Sequence, residues 1–452
     1  MTRSQAHAVA RGGDPANAFG AQVPAEATLT PAEGGVCATR GIVAGGLAAG
    51  LKPSGKPDLA LVAASQPVAA GAVQTTNAVA AAPVHLTRRH LAATGGRARA
   101  VLLNAGSANA CTGPEGMAVA EASAGAVAAA LGCATEEVLV TSTGVIGQPI
   151  PREPLLASIP DVAGQATGDA AGATRAADAI RTTDTTVKQA AVTAADPAGV
   201  ATIGGLTKGS GMIDPAMATM LAVLTTDADL RHPALASVLS EVVGRTFGRI
   251  SVDGCQSTND AVVLLATGQA AHQPSLGTLV AGLEHVCGSL AEQIVRDGEG
   301  ASRVLHVHVV GAETTSDAEV VARAVAGSDL VKTAVAGGDP NWGRVLAAVG
   351  AAGAGAAGLR AQAPAGTTPG DRAGDVPRTP RVVAERVDVR FGQVTVCRFG
   401  GAAAFDAGQA AAALRGPDVH LTIDLGLDHA RATNLTCDLT HGYISINAEY
   451  TT

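Results

Sequence analysis

KGSGMIDPAMATMLAVLTTDADL, residues 208–230, closes the densest segment of the chain, which opens at Gly204. Two readings compete for it. In one, Asp214-Pro215 starts a helix, with Asp at the N-cap and Pro in the first turn. In the other, a glycine cluster with a single lysine leads to a small residue, Ala218. Thr219 follows, and then an apolar, strand-like run, MLAVLTT. A hydroxyl after a small residue and directly before a strand is what a self-processing N-terminal nucleophile needs. The Thr219 hydroxyl attacks the carbonyl of Ala218, the amide becomes an ester, and water opens the ester. Thr219 is left with a free α-amine beside its own hydroxyl. Such an amine has an ordinary pKa of about 7.7–8.0, poised to act as a general base near neutrality.

Outward from that segment, short β-branched or Leu-rich runs recur at Leu59–Ala63, Ala100–Leu103, Val138–Thr141, Val200–Ile203 and Met220–Thr225. They continue at Ala261–Ala266, Leu305–Val310, Arg381–Phe391 and Val419–Asp424. Most are of strand length and flanked by Gly, Pro, Asn or Asp. Ala-rich helical stretches lie between them, at Met117–Leu131, Leu235–Phe247, Leu276–Val295 and Asp317–Val325. This alternation predicts an α/β protein. Residues 1–35 are Ala/Gly/Pro-rich and read as a flexible tail without the apolar stretch of a secretory signal. Residues 361–381, AQAPAGTTPGDRAGDVPRTPR, read as a flexible insertion.

Composition narrows the function classes. The 452 residues set a soft expectation of about two or three domains. With 31 basic against 39 acidic residues the net charge is −8, and there are only one Trp, two Tyr and five Phe. Such a chain is poorly equipped to grip phosphate backbones or stack bases, so no nucleic-acid partner is expected. A hydrophobic fraction of 47% with 56 Gly predicts a core of small, closely packed side chains. The longest uncharged stretches are Ala-, Val- and Thr-rich, which predicts no membrane span. Seven cysteines without a CxxC pair argue against a disulfide scaffold or zinc cluster and fit a reducing cytoplasm.

The 208–230 segment resembles the self-cleavage segment of the ornithine acetyltransferase family, bifunctional enzymes of arginine biosynthesis. The likeness continues through GIVAGGLAAGLKPSGKPDLAL (41–61), NAGSANACTGPEG (104–116), TSTGVIGQPIP (141–151) and RTTDTTVK (181–188). It resumes at SVDGCQSTNDAV (251–262), RDGEGASR (296–303), SDLVKTAVAGGDPNWGRVLAAVG (328–350) and DLTHGYISINAEYTT (438–452). These blocks run in the family's order from about residue 36 to the last residue.

The resemblance implies a self-processed, N-terminal-nucleophile-like α/β fold. An α chain ending at Ala218 (residues 36–218) and a β chain from Thr219 (219–452) share one core, in an α2β2 assembly. It implies transfer of the acetyl group of N2-acetyl-L-ornithine to L-glutamate through an acetyl-Thr219 intermediate, with acetyl-CoA as an optional second donor. No metal, nucleotide or prosthetic group is needed. Thr143 and Gly144 are the implied oxyanion hole. Thr182, Lys208, Thr219, Glu299, Asn447 and Thr452 are the implied substrate contacts, and Lys208 and Glu299 are matched to the substrate's charged ends. TTDTT leaves Thr183 open as an alternative to Thr182. ISINAEY is read as a strand delivering its end to the site.

Several signals depart from this pattern or stand apart from it. Cys255 occupies a position where the family usually carries an acid, and Asn434-Leu435 replaces an aromatic-Gly pair. Asn434-Leu435-Thr436 is a glycosylation sequon, which carries no meaning without secretion. Trp342 reads as a packing anchor. His306 and His308 fall on one face of a strand, but with no third ligand evident nearby they are read as structural. Two other functions stay open: a hydrolase with the same processed Thr, or a relative from secondary metabolism with another acceptor. A Gly-rich binding module is disfavoured by the absence of a GxxxxGK[ST] phosphate loop.

Overall fold

The computed structural model describes residue 19 and residues 22–214, 220–360 and 379–449, with the backbone alone at 355–360. In chain order the first elements are β1 (Thr28–Pro31), β2 (Ile42–Leu47), β3 (Leu59–Gln74), α1 (Ala82–Ala93), β4 (Arg97–Asn104), α2 (Gly113–Leu131) and β5 (Val138–Ser142). Next come α3 (Arg152–Gly164), α4 (Ala170–Ala179), β6 (Lys188–Asp196), β7 (Gly199–Lys208), β8 (Leu221–Thr226), α5 (Ala234–Arg245), β9 (Ile250–Ser251) and β10 (Ala261–Ala266). Then follow α6 (Leu276–Arg296), β11 (Val304–Ala312), α7 (Thr315–Ala326), α8 (Asp329–Ala336), α9 (Trp342–Arg360) and β12 (Asp388–Phe391). The last are β13 (Val394–Arg398), β14 (Gly401–Ala402), α10 (Ala407–Ala412), β15 (Asp418–Asp424), β16 (Ala430–Cys437) and α11 (His441–Glu449).

The chain forms two compact units, residues 1–248 with 255–294, and residues 249–254 with 295–452. The first unit holds a mixed sheet in the order β1-β6-β7-β8-β10-β3-β4-β5, with β2 also paired to β3. β7 precedes Thr219 in sequence and β8 follows it, yet the two pair antiparallel, Lys208 opposite Leu221. β8 pairs parallel to β10, and β10 antiparallel to β3. Strands from both sides of position 218/219 are therefore interleaved in one sheet. Val62 and Leu103 bury with Leu206, Val223 and Val263 in a single cluster. This is the shared core expected for an N-terminal-nucleophile arrangement.

Small residues let helices approach this sheet closely. At Gly46 in β2, a Cβ would strike the Arg175 carbonyl oxygen of α4. The Gly- and Ala-rich composition thus records close layer spacing, which bulky side chains prevent.

The second unit holds a seven-stranded sheet, β14-β13-β12-β15-β11-β16-β9. Leu305, Val307, Val309, Val419, Leu421 and Ile423 form one face and bury with Val321 and Val325 of α7 and Val345 and Val349 of α9. Trp342 packs against the same cluster, as its reading as an anchor predicts. Among the described residues no helix is long and apolar enough to cross a membrane. None of the seven cysteines is in a disulfide.

Several expectations are corrected. Residues 28–31, inside the expected tail, form edge strand β1, paired with β6 from Thr28↔Ala195 to Pro31↔Val192. Its side chains are mostly exposed, so no apolar alternation marks it. Only Asp388–Phe391 of the expected 381–391 strand is extended, with a 3-10 turn at Ala384–Arg386 ahead of it. Residues 361–378 of the expected insertion lie outside the described residues; at its end Pro380 is buried and Arg381 pairs with Glu313 at 2.9 Å. Residues 444–449 of ISINAEY are not a strand: residues 441–449 are helical, and Asn447 Nδ2 donates to the Tyr443 carbonyl one turn back. Ile444 and Ile446 are both exposed, so their alternation does not mark a buried sheet face. Finally, a third histidine does stand beside His306 and His308: the parallel register of β11 and β15 sets His420 directly opposite His306.

Candidate active site

Lys208 ends β7 with its side chain buried. Its Nζ donates to Thr182 Oγ1 at 2.8 Å and to Thr143 Oγ1 at 3.4 Å. The structure thus brings Thr182, and not its neighbour Thr183, onto the lysine. Thr143 follows the last residue of β5, and its backbone N–H is held by the Asn104 carbonyl at 2.9 Å. Gly144 next to it has φ +126°, and a Cβ there would collide with the Gly106–Ser107 backbone. Only glycine fits this turn without displacing the 106–107 loop. Asn259 braces the same turn, donating from Nδ2 to the Ser142 carbonyl at 2.8 Å and to the Ala108 carbonyl at 2.5 Å.

Asp184 is the counter-charge that composition and motifs did not single out. Its side chain is fully buried. Oδ1 accepts from Lys188 Nζ at 2.8 Å and from the Gly209 N–H at 2.7 Å, and Oδ2 accepts from the Thr182 N–H at 2.9 Å. Lys208 Nζ lies 3.9 Å from Oδ2. Burial pushes the Asp184 carboxyl up. The cations of Lys208 and Lys188, with the hydrogen bonds it accepts, outweigh burial and hold the group below the usual carboxylate range. One carboxylate therefore fixes two buried ammonium groups and the backbone of Thr182.

Asp260 was also missed. Its Oδ1 accepts the Met220 N–H at 2.8 Å, and Ala261 N donates back to the Met220 carbonyl at 3.0 Å. The residue that follows Thr219 is thus fixed on both sides. Oδ2 is buried and has no hydrogen-bond partner among the described residues. It borders a cavity of about 10 Å³ lined also by Gln74, Met220 and Phe247. Burial drives the Asp260 pKa well up, against the pull of the Met220 amide and Lys208. Asp184 and Asp260 both lie in stretches that matched the family, but nothing local in TTDTT or STNDAV distinguishes a buried carboxylate from a turn residue.

In the second unit Glu299 is buried, and its Oε2 accepts from Asn447 Nδ2 at 2.8 Å. The loop carrying Glu299 is fixed to the segment that precedes α11. Asp438 accepts the N–H groups of Ser302 and Arg303 at 2.8 and 3.0 Å, and Thr440 Oγ1 donates to the Gly300 carbonyl at 2.6 Å. Gly300 itself has φ +70°, and its α-carbon leaves no room for a Cβ against Gly442 and Tyr443. Two of the expected substrate contacts, Glu299 and Asn447, are thus joined directly. Ala218, Thr219 and Thr452 lie outside the described residues. Cys255 is exposed, and Asn434 of the sequon is buried.

Fold and site together are those of a two-sheet α/β protein with a buried cluster of hydroxyls and charged groups at the end of a strand. The ArgJ family model matches residues 43–452, and the chain belongs to that family. The arginine biosynthesis bifunctional protein ArgJ of Gloeobacter violaceus is 41% identical over 433 residues, covering 93% of this chain and 98% of that protein. The protein of the same name from Symbiobacterium thermophilum is 44% identical over 431 residues, covering 93% and 99%. Among solved structures, ornithine acetyltransferase of Mycobacterium tuberculosis complexed with ornithine aligns at 44% identity. That alignment covers 43% of this chain and 99% of that chain, with a TM-score of 0.38.

Proposed function

We propose that this chain transfers the acetyl group of N2-acetyl-L-ornithine to L-glutamate in arginine biosynthesis, and that it also acetylates glutamate from acetyl-CoA. Its relatives' name, bifunctional, supports the second activity. The observation that carries the reading is the convergence of Lys208, Thr182 and Thr143 at the end of β7, whose sheet partner β8 begins two residues after Thr219.

Thr219 first releases itself. Its hydroxyl attacks the Ala218 carbonyl, and water hydrolyses the resulting ester, leaving a carboxylate on Ala218 and an α-amine on Thr219. In turnover that amine takes the hydroxyl proton as Oγ attacks the acetyl carbon, and returns it to the departing ornithine amine. Glutamate's amine then attacks the acetyl ester, and Thr219 recovers its proton. The oxyanion of each tetrahedral intermediate is held by the Thr143 hydroxyl and the Gly144 N–H. Because Lys208 donates to Thr143 Oγ1, the Thr143 proton is left to point at the oxyanion, and the neighbouring cation makes it a stronger donor. Lys208, steadied by Asp184 and Thr182, is assigned to the substrate carboxylate, and Glu299 and Asn447 keep the substrate-binding role that the family likeness implies.

After the cut, the pairing of β7 with β8 keeps the α and β chains joined. We assign them an α2β2 assembly, the cytoplasm and small-molecule substrates, with Thr452 as a further substrate contact. No cofactor enters the proposed steps. Intact mass spectrometry after incubation with N-acetylornithine tests the reading. The expected result is two fragments from a break at 218/219, with the mass of one acetyl group added to the fragment that begins at Thr219. Thr219→Ala is expected to stay a single, unlabelled chain. A wild-type protein that is never acetylated, or a mutant that still splits, overturns the assignment; acetate released without glutamate points to the hydrolase instead.

A further inference from the structure

β11 and β15 run parallel, with His306 opposite His420 and His308 opposite Thr422. Side chains alternate along a strand, so His306, His308 and His420 share one face, and the apolar core residues of the same strands share the other. The three rings are stacked: centroids lie 4.5 Å apart for His306–His420, 5.5 Å for His308–His420 and 6.2 Å for His306–His308. One nitrogen from each ring lies within 4.8 Å of the others. His308 Nε2 and His420 Nδ1 are only 3.2 Å apart. Two imidazole nitrogens on one tetrahedral zinc, each at about 2.0–2.1 Å, stand about 3.3–3.4 Å from each other. That pair is already at ligand spacing, and His306 needs only a small side-chain adjustment to join it.

The outer contacts are also those of a metal site. His306 Nε2 is 3.1 Å from Asp418 Oδ1, so Nδ1 is the nitrogen His306 has to offer. Asp418 is itself steadied by Arg296 Nη2 at 2.7 Å, which neutralises that arginine. His308 Nδ1 is 3.0 Å from Thr433 Oγ1 on β16, leaving Nε2 turned toward His420. A carboxylate or hydroxyl on the far nitrogen fixes the tautomer and ring orientation of metal-binding histidines. His308 and His420 are half-buried, which leaves an approach for an ion and a position for a water as fourth ligand.

We propose that His306, His308 and His420 form a binding site for a divalent transition-metal cation of the zinc class, with Asp418 as the carboxylate behind His306. Three imidazoles without an inner-shell carboxylate favour zinc, cobalt, nickel or copper over calcium or magnesium. The ion pins β11 to β15 in the second unit, and acetyl transfer as assigned above does not pass through it.

The test uses full-length, tag-free protein stripped with a chelator. Titration with Co(II) is expected to give visible d–d absorption typical of a tetrahedral, nitrogen-rich site, saturating at one equivalent per chain and bleached by Zn(II). Zn(II) is expected to raise the Tm of the wild type. H308Q and H420Q are expected to lose both responses, and H429Q, at an exposed histidine, to keep them. X-ray absorption on the zinc-loaded wild type reads the site without any variant, and three imidazoles in the first shell are expected. No stoichiometric cobalt binding, undiminished binding in H420Q, or a first shell without three imidazoles overturns the proposal.

Discussion

The Lys208 ammonium donates to the Thr182 hydroxyl at 2.8 Å, across 26 residues of sequence and within a buried cluster. The adjoining Thr183 hydroxyl takes no part in that bond. Thr182→Val removes the acceptor at nearly constant size. A hydrogen bond to a charged group contributes about 1.5–3 kcal/mol, so kcat/KM for N-acetylornithine is expected to fall by roughly ten- to a hundredfold. Thr183→Val is expected to stay within about twofold of wild type. Steady-state kinetics of the pair decide the matter, and the reverse ranking would assign the substrate contact to Thr183.

Thr143 is held by its backbone to Asn104 and offers its hydroxyl to Lys208. Thr143→Val keeps the backbone bond and the shape and removes only the hydroxyl. Loss of one oxyanion donor costs about 2.7–4 kcal/mol, so kcat is expected to drop about 10²–10³-fold while the thermal melt stays near that of the wild type. Unchanged turnover in a folded variant removes Thr143 from the oxyanion role.

Asp184 stands between two lysines that are both almost completely buried. Asp184→Asn leaves two buried ammonium groups without their carboxylate, and a loss of roughly 3–5 kcal/mol in unfolding free energy is expected at neutral pH. The pH dependence has a definite sign. The folded pKa of Asp184 is depressed, so its stabilisation is complete above the ordinary carboxylate value of about 3.9 and fades as the pH falls toward the folded value. Urea midpoints of wild type and D184N are therefore expected to converge below about pH 4. A gap that stays constant through that range would show that the carboxylate charge is not its source.

Much of this was legible before the structure, and the reasons differ from element to element. β8 and β10 are short, apolar runs buried on both faces, and such runs announce themselves. β6 is KQAAVTAAD, with little intrinsic strand preference; its full-length pairing with β7 imposes the extended form. ISINAEY alternates for reasons unrelated to burial, and helix α11 has no buried residue. In the site, Lys208 and Glu299 were reached through the family likeness. Asp260 and Asn259 were not, because each acts across a long sequence separation on a backbone group; nor was Asp184, whose contacts join nearby Thr182 and Lys188 to the distant Lys208 and Gly209. The third histidine was invisible for a similar reason: His420 meets His306 only through the register of two strands far apart in sequence.

Asp260 supplies the last expectation. It fixes the Met220 N–H, next to the proposed nucleophile, through Oδ1 and keeps Oδ2 buried without a partner among the described residues. Asp260→Asn preserves an oxygen acceptor for Met220, whereas Asp260→Ala removes it and leaves a buried N–H unpaired, at a cost of about 1–3 kcal/mol. Chain cleavage and acetyl labelling are expected to be slow in D260A and close to wild type in D260N, as read by gel densitometry and intact mass. Stability carries an independent signature. The folded pKa of Asp260 is raised, so its contribution is intact below about pH 3.9 and is lost as the pH rises through the folded value, when a proton must leave a buried carboxyl. D260N carries no such proton, and its unfolding midpoint is expected to gain on that of the wild type as the pH rises. Equal damage in D260N and D260A would mean that the carboxyl's own proton, and not the anchoring of Met220, is what the site uses.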